Sequence, residues 1–190
     1  MKIEEGGIII VAQPRSGSSN LMKSIASYYK KPFVFEPNLM KDENGDPTTD
    51  VVKAFPYWEV HHNKTEPYDY SKVLNTIKEY NTIILLSRRN KEEQIDSFYT
   101  TVQVLRGAWN RKWSAEDVDR ESIYYRNYKE YFVSLDNIFD KLASDLNLEI
   151  NYYEDVFKNK KLNIDIGLDL DFFSKELRLR QKTKVKKMLI

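Results

Sequence analysis

The chain has 190 residues, with 30 Lys and Arg against 29 Asp and Glu, two His and no Cys. That length suits one α/β domain over residues 1–190 with a core of its own, and the even charge balance gives no bulk field for nucleic acid or a membrane, so any anion site must be local. The absence of Cys excludes disulfides, thiolate metal sites and a Cys nucleophile; two His are too few for a His-rich metal cage, and the residues present require no metal.

Ile8-Ile9-Ile10-Val11-Ala12 is a short apolar run rich in β-branched residues, which predicts a buried strand. Gln13-Pro14-Arg15-Ser16-Gly17-Ser18-Ser19 is a tight polar turn. Leu21, Met22, Ile25, Tyr28 and Tyr29 then recur at helical spacing, so the turn opens a helix. A strand, a small-residue turn and a helix N-terminus aim several N–H groups and a positive dipole end at one point. Arg15 adds a permanent forked cation, which makes the turn an anion site suited to phosphate or sulfate. It is not a Walker A loop, because the cation precedes the Gly and no GKS or GKT occurs in the chain.

Pro32-Phe33-Val34-Phe35-Glu36-Pro37 reads as a short strand ending at an acid, with prolines restricting both ends to extended geometry. Asp42-Glu43-Asn44-Gly45-Asp46-Pro47 is the strongest turn signal. A strand is expected through Tyr57-Trp58-Glu59-Val60, ending at His61-His62, then a helix over 70–80 with Val73, Leu74 and Ile77 on one face. Thr82-Ile83-Ile84-Leu85-Leu86 is another buried strand and ends at Ser87-Arg88-Arg89-Asn90. Helices are expected over 91–106 and, after a Trp-bearing connector at 107–119, over roughly 120–145. Leu148-Glu149-Ile150-Asn151-Tyr152 is the last strand expected, followed by Tyr153-Glu154-Asp155. The tail from Lys175 to Lys187 reads as a solvated basic helix face. Strands alternating with helices imply a central parallel sheet flanked by helices, whose ligands bind at the carboxyl ends of the strands.

Three segments carry chemistry at such ends. Pro14-Arg15-Ser16-Gly17-Ser18-Ser19 resembles the 5′-phosphosulfate loop of sulfotransferases that use 3′-phosphoadenosine 5′-phosphosulfate (PAPS). Cytosolic members carry Pro-Lys-Ser-Gly-Thr-Thr, whereas carbohydrate sulfotransferases of the Golgi type carry Arg-Ser-Gly-Ser-Ser, the form present here. Arg89, with Ser97 about two turns into the next helix, can share one phosphate through a fork and a hydroxyl. The Arg-Asn-x₆-Ser spacing resembles the family's 3′-phosphate motif, with Arg88 in place of Arg89 if the strand ends one residue earlier. Tyr153-Glu154-Asp155 resembles a third family segment, in which the Tyr lies near the adenosine. The three occur in family order across nearly the whole chain.

The resemblance implies a P-loop NTPase-like sulfotransferase fold and transfer of a sulfuryl group from PAPS to an acceptor hydroxyl, leaving adenosine 3′,5′-bisphosphate (PAP). It implies cofactor contacts from Arg15, Ser16, Gly17, Ser18, Ser19, Asn20, Arg89, Ser97 and Tyr153, with Arg15 also stabilising charge on the leaving oxygen. The reaction needs a base for the acceptor proton. Phe35-Glu36-Pro37 resembles a Phe-Glu-Pro segment of carbohydrate sulfotransferases, where an acid is taken as that base, and this makes Glu36 the first candidate. His61 or His62 is the second, from the position of the catalytic His in cytosolic enzymes; adjacent strand residues face opposite ways, so one at most points inward.

The acceptor stays open between a carbohydrate and a small alcohol or phenol. Asn20 stands where the cytosolic pattern has a Trp on the adenine, so the grip on that ring is open as well. No run of about 18 apolar residues is present and Met1-Lys2-Ile3-Glu4-Glu5 lacks a secretory pattern, which predicts a soluble cytoplasmic protein, unlike the anchored Golgi-type enzymes. Two rival readings are a small-molecule kinase, which needs a Walker Lys and an acid where Leu85-Leu86-Ser87 has none, and a non-catalytic nucleotide-binding module.

Overall fold

The computed structural model of the chain describes residues 6–41, 44–57, 68–105 and 118–168. Five strands, β1 (Ile8–Ala12), β2 (Phe33–Phe35), β3 (Val51–Ala54), β4 (Thr82–Ser87) and β5 (Ile150–Tyr152), form one sheet in the order β2-β3-β1-β4-β5. Every pairing is parallel, with Ile8 opposite Val51 on one side and Thr82 on the other. The helices are α1 (Ser18–Tyr29), α2 (Tyr70–Lys78), α3 (Lys91–Leu105) and α4 (Ile123–Leu146), and a π-helical turn covers Glu154–Lys158.

β1 is wholly buried at the centre of the sheet, which is why its sequence is a continuous apolar run. Its alternate side chains feed two cores. Ile8, Ile10 and Ala12 pack with Leu21, Met22 and Ile25 of α1, and Ile9 and Val11 pack with Val73 and Ile77 of α2 and Phe139 and Leu142 of α4. A third core joins α3 to α4 through Phe98, Tyr99, Tyr125, Tyr128, Tyr131 and Phe132, several of them in edge-to-face pairs.

Local chemistry sets the helix ends. The Asp69 and Ser122 side chains accept from the amides of Lys72 and Tyr125 at the starts of α2 and α4. Asn90 accepts from the Glu93 amide at the start of α3, and left-handed Lys30 and Asn147 close α1 and α4.

The strand expected at 57–60 falls mostly outside the described residues. Tyr57 is irregular, and Trp58, Glu59 and Val60 lie outside the described residues. The strand beside β1 is β3, at 51–54, where a charged residue interrupts an apolar run: Val51-Val52-Lys53-Ala54. A Lys at the middle of such a run argues against burial, yet Lys53 is only 2% exposed. His61, His62, the connector tryptophans Trp109 and Trp113, and the basic tail also lie outside the described residues. No helix among the described residues is long and apolar enough to cross a membrane.

Candidate functional site

A parallel sheet collects the residues that follow its strands at one edge. Here those residues, Arg15 after β1, Glu36 after β2, Phe55 after β3, Arg88 after β4 and Tyr153 after β5, all line one open cavity of about 650 Å³. The first turn of α1 and the inner face of α3 complete its wall. Among the described residues that line it are four cations, Arg15, Lys23, Lys53 and Arg88, and one carboxylate, Glu36.

The turn after β1 is anchored from beneath. Gln13, fully buried, donates to Asp136 of α4 (2.7 Å) and accepts from Ser87 (2.9 Å) and Lys91 (2.8 Å). Gln94 of α3, also fully buried, donates to the Pro14 carbonyl (2.7 Å). Two residues of the turn have left-handed backbone, Arg15 (φ 61°) and Gly17 (φ 80°). Gly17 caps α1 without a side-chain hydrogen bond, and its carbonyl accepts from the amides of Asn20 (3.0 Å) and Leu21 (3.2 Å), so the donors that the helix does not use itself are those of Ser18 and Ser19, at the cavity wall. A Cβ at Gly17 would lie 2.8 Å from the Tyr153 ring and 2.9 Å from Phe157, so only Gly lets the turn pass beneath those rings.

Arg15 is exposed on the open side of the cavity and donates through Nε to Ser97 of α3 (2.9 Å). The protein packed around its guanidinium, and then the charge of Arg88, lower its pKa. Lys53 lies between the rings of Phe35 (4.5 Å from the ring centre) and Phe55 (3.9 Å) and donates to the Glu36 carboxylate. Burial lowers the Lys53 pKa; Glu36 opposes that shift and nearby Arg15 adds to it. Glu36 is itself left-handed (φ 53°). The helix caps Lys30 and Asn147 take that conformation for a local reason; Arg15 and Glu36 take it where their side chains enter the cavity.

Of the residues singled out by sequence, Arg15, Gly17, Ser18, Ser19, Asn20, Glu36, Ser97 and Tyr153 line this cavity. Ser16 does not, because it is buried and its hydroxyl turns back to the Gln13 carbonyl (2.7 Å). Arg89 does not either. β4 ends at Ser87, which sends Arg88 inward and Arg89 outward, where Asp155 takes both arms of its guanidinium (2.7 and 2.5 Å) beside the Tyr152 ring. The cation at the end of β4 that the cavity receives is Arg88. The Tyr153 ring stacks on Phe157 (4.8 Å between centres) and lies under Arg88 (4.8 Å), so both its packing partners come from the protein. Lys23 and Lys53 gave no sequence signal beyond their charge, although a Lys inside Val51-Val52-Lys53-Ala54 marks a place where a buried strand meets a polar site. Among the described residues no group of three or more His, Asp or Glu could hold a metal ion.

Arg88 is oriented by two carboxylates. Glu93 meets its Nη2 at 2.6 Å, and Glu154 lies 3.7 Å from its Nε while accepting from the amides of Arg89 and Asn90 (3.1 Å each). Burial pushes the Glu154 carboxyl up, but those two amides and the Arg88 charge outweigh it and hold the group below its ordinary value of 4.5. A carboxyl depressed by folding contributes stability that is full above its unfolded pKa and lost as pH falls through the folded one. Glu154→Gln is therefore expected to lose about 1–2 kcal/mol relative to wild type at pH 7. That gap should close on acidification below 4.5, as read by urea unfolding at several pH values. A gap independent of pH would mean that packing, not charge, holds this turn.

Compared with models of known protein families, with curated proteins and with solved structures, the chain matches none.

Proposed function

We propose that the chain is a PAPS-dependent sulfotransferase acting on an acceptor hydroxyl, and that the cavity at the sheet edge is its active site. One observation carries the reading. Residues selected from four separated segments for this chemistry, Arg15 with 17–20, Glu36, Ser97 and Tyr153, share one cavity in which cations outnumber carboxylates four to one. The fit to the cofactor rests on that donor set. PAPS is anionic at both its phosphosulfate and its 3′-phosphate, and the cavity offers an amide-rich helix start and four cations. The same reading takes the sheet as a P-loop NTPase-like sulfotransferase fold, with the anion-binding turn leaving the central strand β1.

When bound, PAPS supplies an activated sulfuryl group. Glu36 receives the proton of the acceptor hydroxyl as its oxygen bonds to sulfur. Arg15 and the amides at 17–19 hold the phosphate oxygen that departs with the electron pair of the broken S–O bond. These donors act where negative charge grows, as in phosphoryl transfer, where positioning and charge neutralisation do most of the work. Arg88 and Ser97 take the 3′-phosphate, Arg88 standing where sequence placed Arg89. Phe35, Phe55, Phe98 and Val102 give the acceptor side of the cavity apolar walls.

Calorimetric titration with PAP, AMP and ATP tests this. Wild type is expected to prefer PAP to AMP, and Arg88→Ala to lose at least about tenfold of that preference, the value of a charge-assisted hydrogen bond. No binding of PAP, or a preference for ATP with Mg²⁺, overturns the reading.

A further inference from the structure

The Lys53–Glu36 pair, with a buried ammonium and a half-buried carboxylate, lines the cavity, and this placement carries a consequence for ligand binding. β2 and β3 are paired at Phe35 and Lys53, and the Glu36 amide donates to the Lys53 carbonyl (2.7 Å), so backbone and side chains tie the two residues together. The left-handed turn at Glu36 brings its carboxylate to the Lys53 ammonium. That ammonium has three donors, lies between two aromatic rings, and is close enough to Arg15 for the two cations to repel each other. Any anion gripped by Arg15 therefore enters the field of Lys53 and, at the same time, that of the Glu36 carboxylate.

We infer that Glu36 and an anionic ligand compete for Lys53, so that the anion weakens the Lys53–Glu36 bond and that bond weakens the anion's binding. The two effects are reciprocal by linkage. In the reaction proposed above, on which this inference rests, the competition has a direction. An anion that draws on Lys53 leaves a Glu36 oxygen open to an acceptor O–H, so the cofactor prepares the base and binds before the acceptor. An ion pair that merely holds β2 to β3 predicts something different, namely that loss of either charge disturbs the cavity and weakens the ligand.

The sign of one substitution separates the two. Glu36→Gln keeps shape and removes the competing charge. By calorimetry on the full chain it is expected to bind PAP about tenfold tighter than wild type, since a Lys53 ammonium released from Glu36 returns about one charge-assisted hydrogen bond to the anion. Lys53→Met keeps the stem between the rings and is expected to bind at least about tenfold more weakly. In the Lys53→Met background the gain from Glu36→Gln should shrink, because only direct repulsion is left to remove. Thermal unfolding of each variant confirms that it is folded before titration.

Pyrophosphate as a second probe keeps this inference distinct from the functional reading. If wild type binds pyrophosphate but not PAP, and Glu36→Gln tightens it, the competition stands and the sulfotransferase reading falls. If wild type binds PAP, and Glu36→Gln binds it equally or less well, the competition is overturned and the functional reading stands.

Discussion

Arg15→Ala is expected to lower PAP affinity about 100-fold. Arg15 stands in the turn that opens α1, and its Nε is fixed on Ser97, which leaves the rest of the guanidinium for the ligand. Truncating one partner of a close, partly desolvated charge pair costs about 2–5 kcal/mol, and 100-fold lies at the lower end of that range. Arg15→Lys should recover most of the loss. It restores the charge and faces the same left-handed backbone, and the cytosolic sequence version, Pro-Lys-Ser-Gly-Thr-Thr, has Lys at this place. What it cannot restore is the bond to Ser97, so its affinity should fall between Ala and wild type. Titration of the three proteins with PAP gives the answer directly. Binding by Arg15→Ala within threefold of wild type would remove Arg15 from the site.

Gly17→Ala carries the second large effect, on both stability and binding. At φ 80° an Ala backbone is strained by about 1–2 kcal/mol. The new Cβ also meets Tyr153 at 2.8 Å and Phe157 at 2.9 Å, inside contact distance, and forcing those stacked rings apart costs about another 1–3 kcal/mol. The turn is anchored at Gln13 and Pro14, so it cannot retreat, and the strain falls on the first turn of α1. Urea unfolding should show a loss of about 2–5 kcal/mol, and PAP binding should fall further than stability alone explains. Adding Tyr153→Ala relieves the contact but not the backbone strain, so only part of the stability should return. Full stability in the single variant would show that the turn adapts, and with it that its shape is not what binds the ligand.

The parallel α/β sheet was legible because its central strands are buried on both faces. Ile8–Ala12 and, within β4, Ile83–Leu86 are continuous apolar runs. The turn between β1 and α1 was legible because Gly and Ser directly after an apolar run and before a helical period mark a strand-to-helix turn. β3 was not, since Lys53 breaks the apolar run that signals a buried strand, whereas Tyr57-Trp58-Glu59-Val60 carries the aromatic and β-branched residues that predict one. That the Ser16 side chain stays out of the cavity was not legible, because a buried hydroxyl bonded to Gln13 and an open one look alike in sequence.

By itself the sequence determined about where β1, β2, β4 and β5 end, because apolar period and turn chemistry are local properties of the chain. That placed Arg15, Glu36 and Tyr153 at the carboxyl edge of the sheet, with Ser97 on the helix that follows β4. Tertiary structure alone decided which of two adjacent arginines faces inward. Strand side chains alternate, so ending β4 at Ser87 rather than one residue later exchanges Arg88 for Arg89. It also decided that Lys53 meets Glu36, a pairing between strands 17 residues apart in the chain. Which charges share a cavity depends on strand order and register, and these are set by packing across the whole sheet rather than within any one segment.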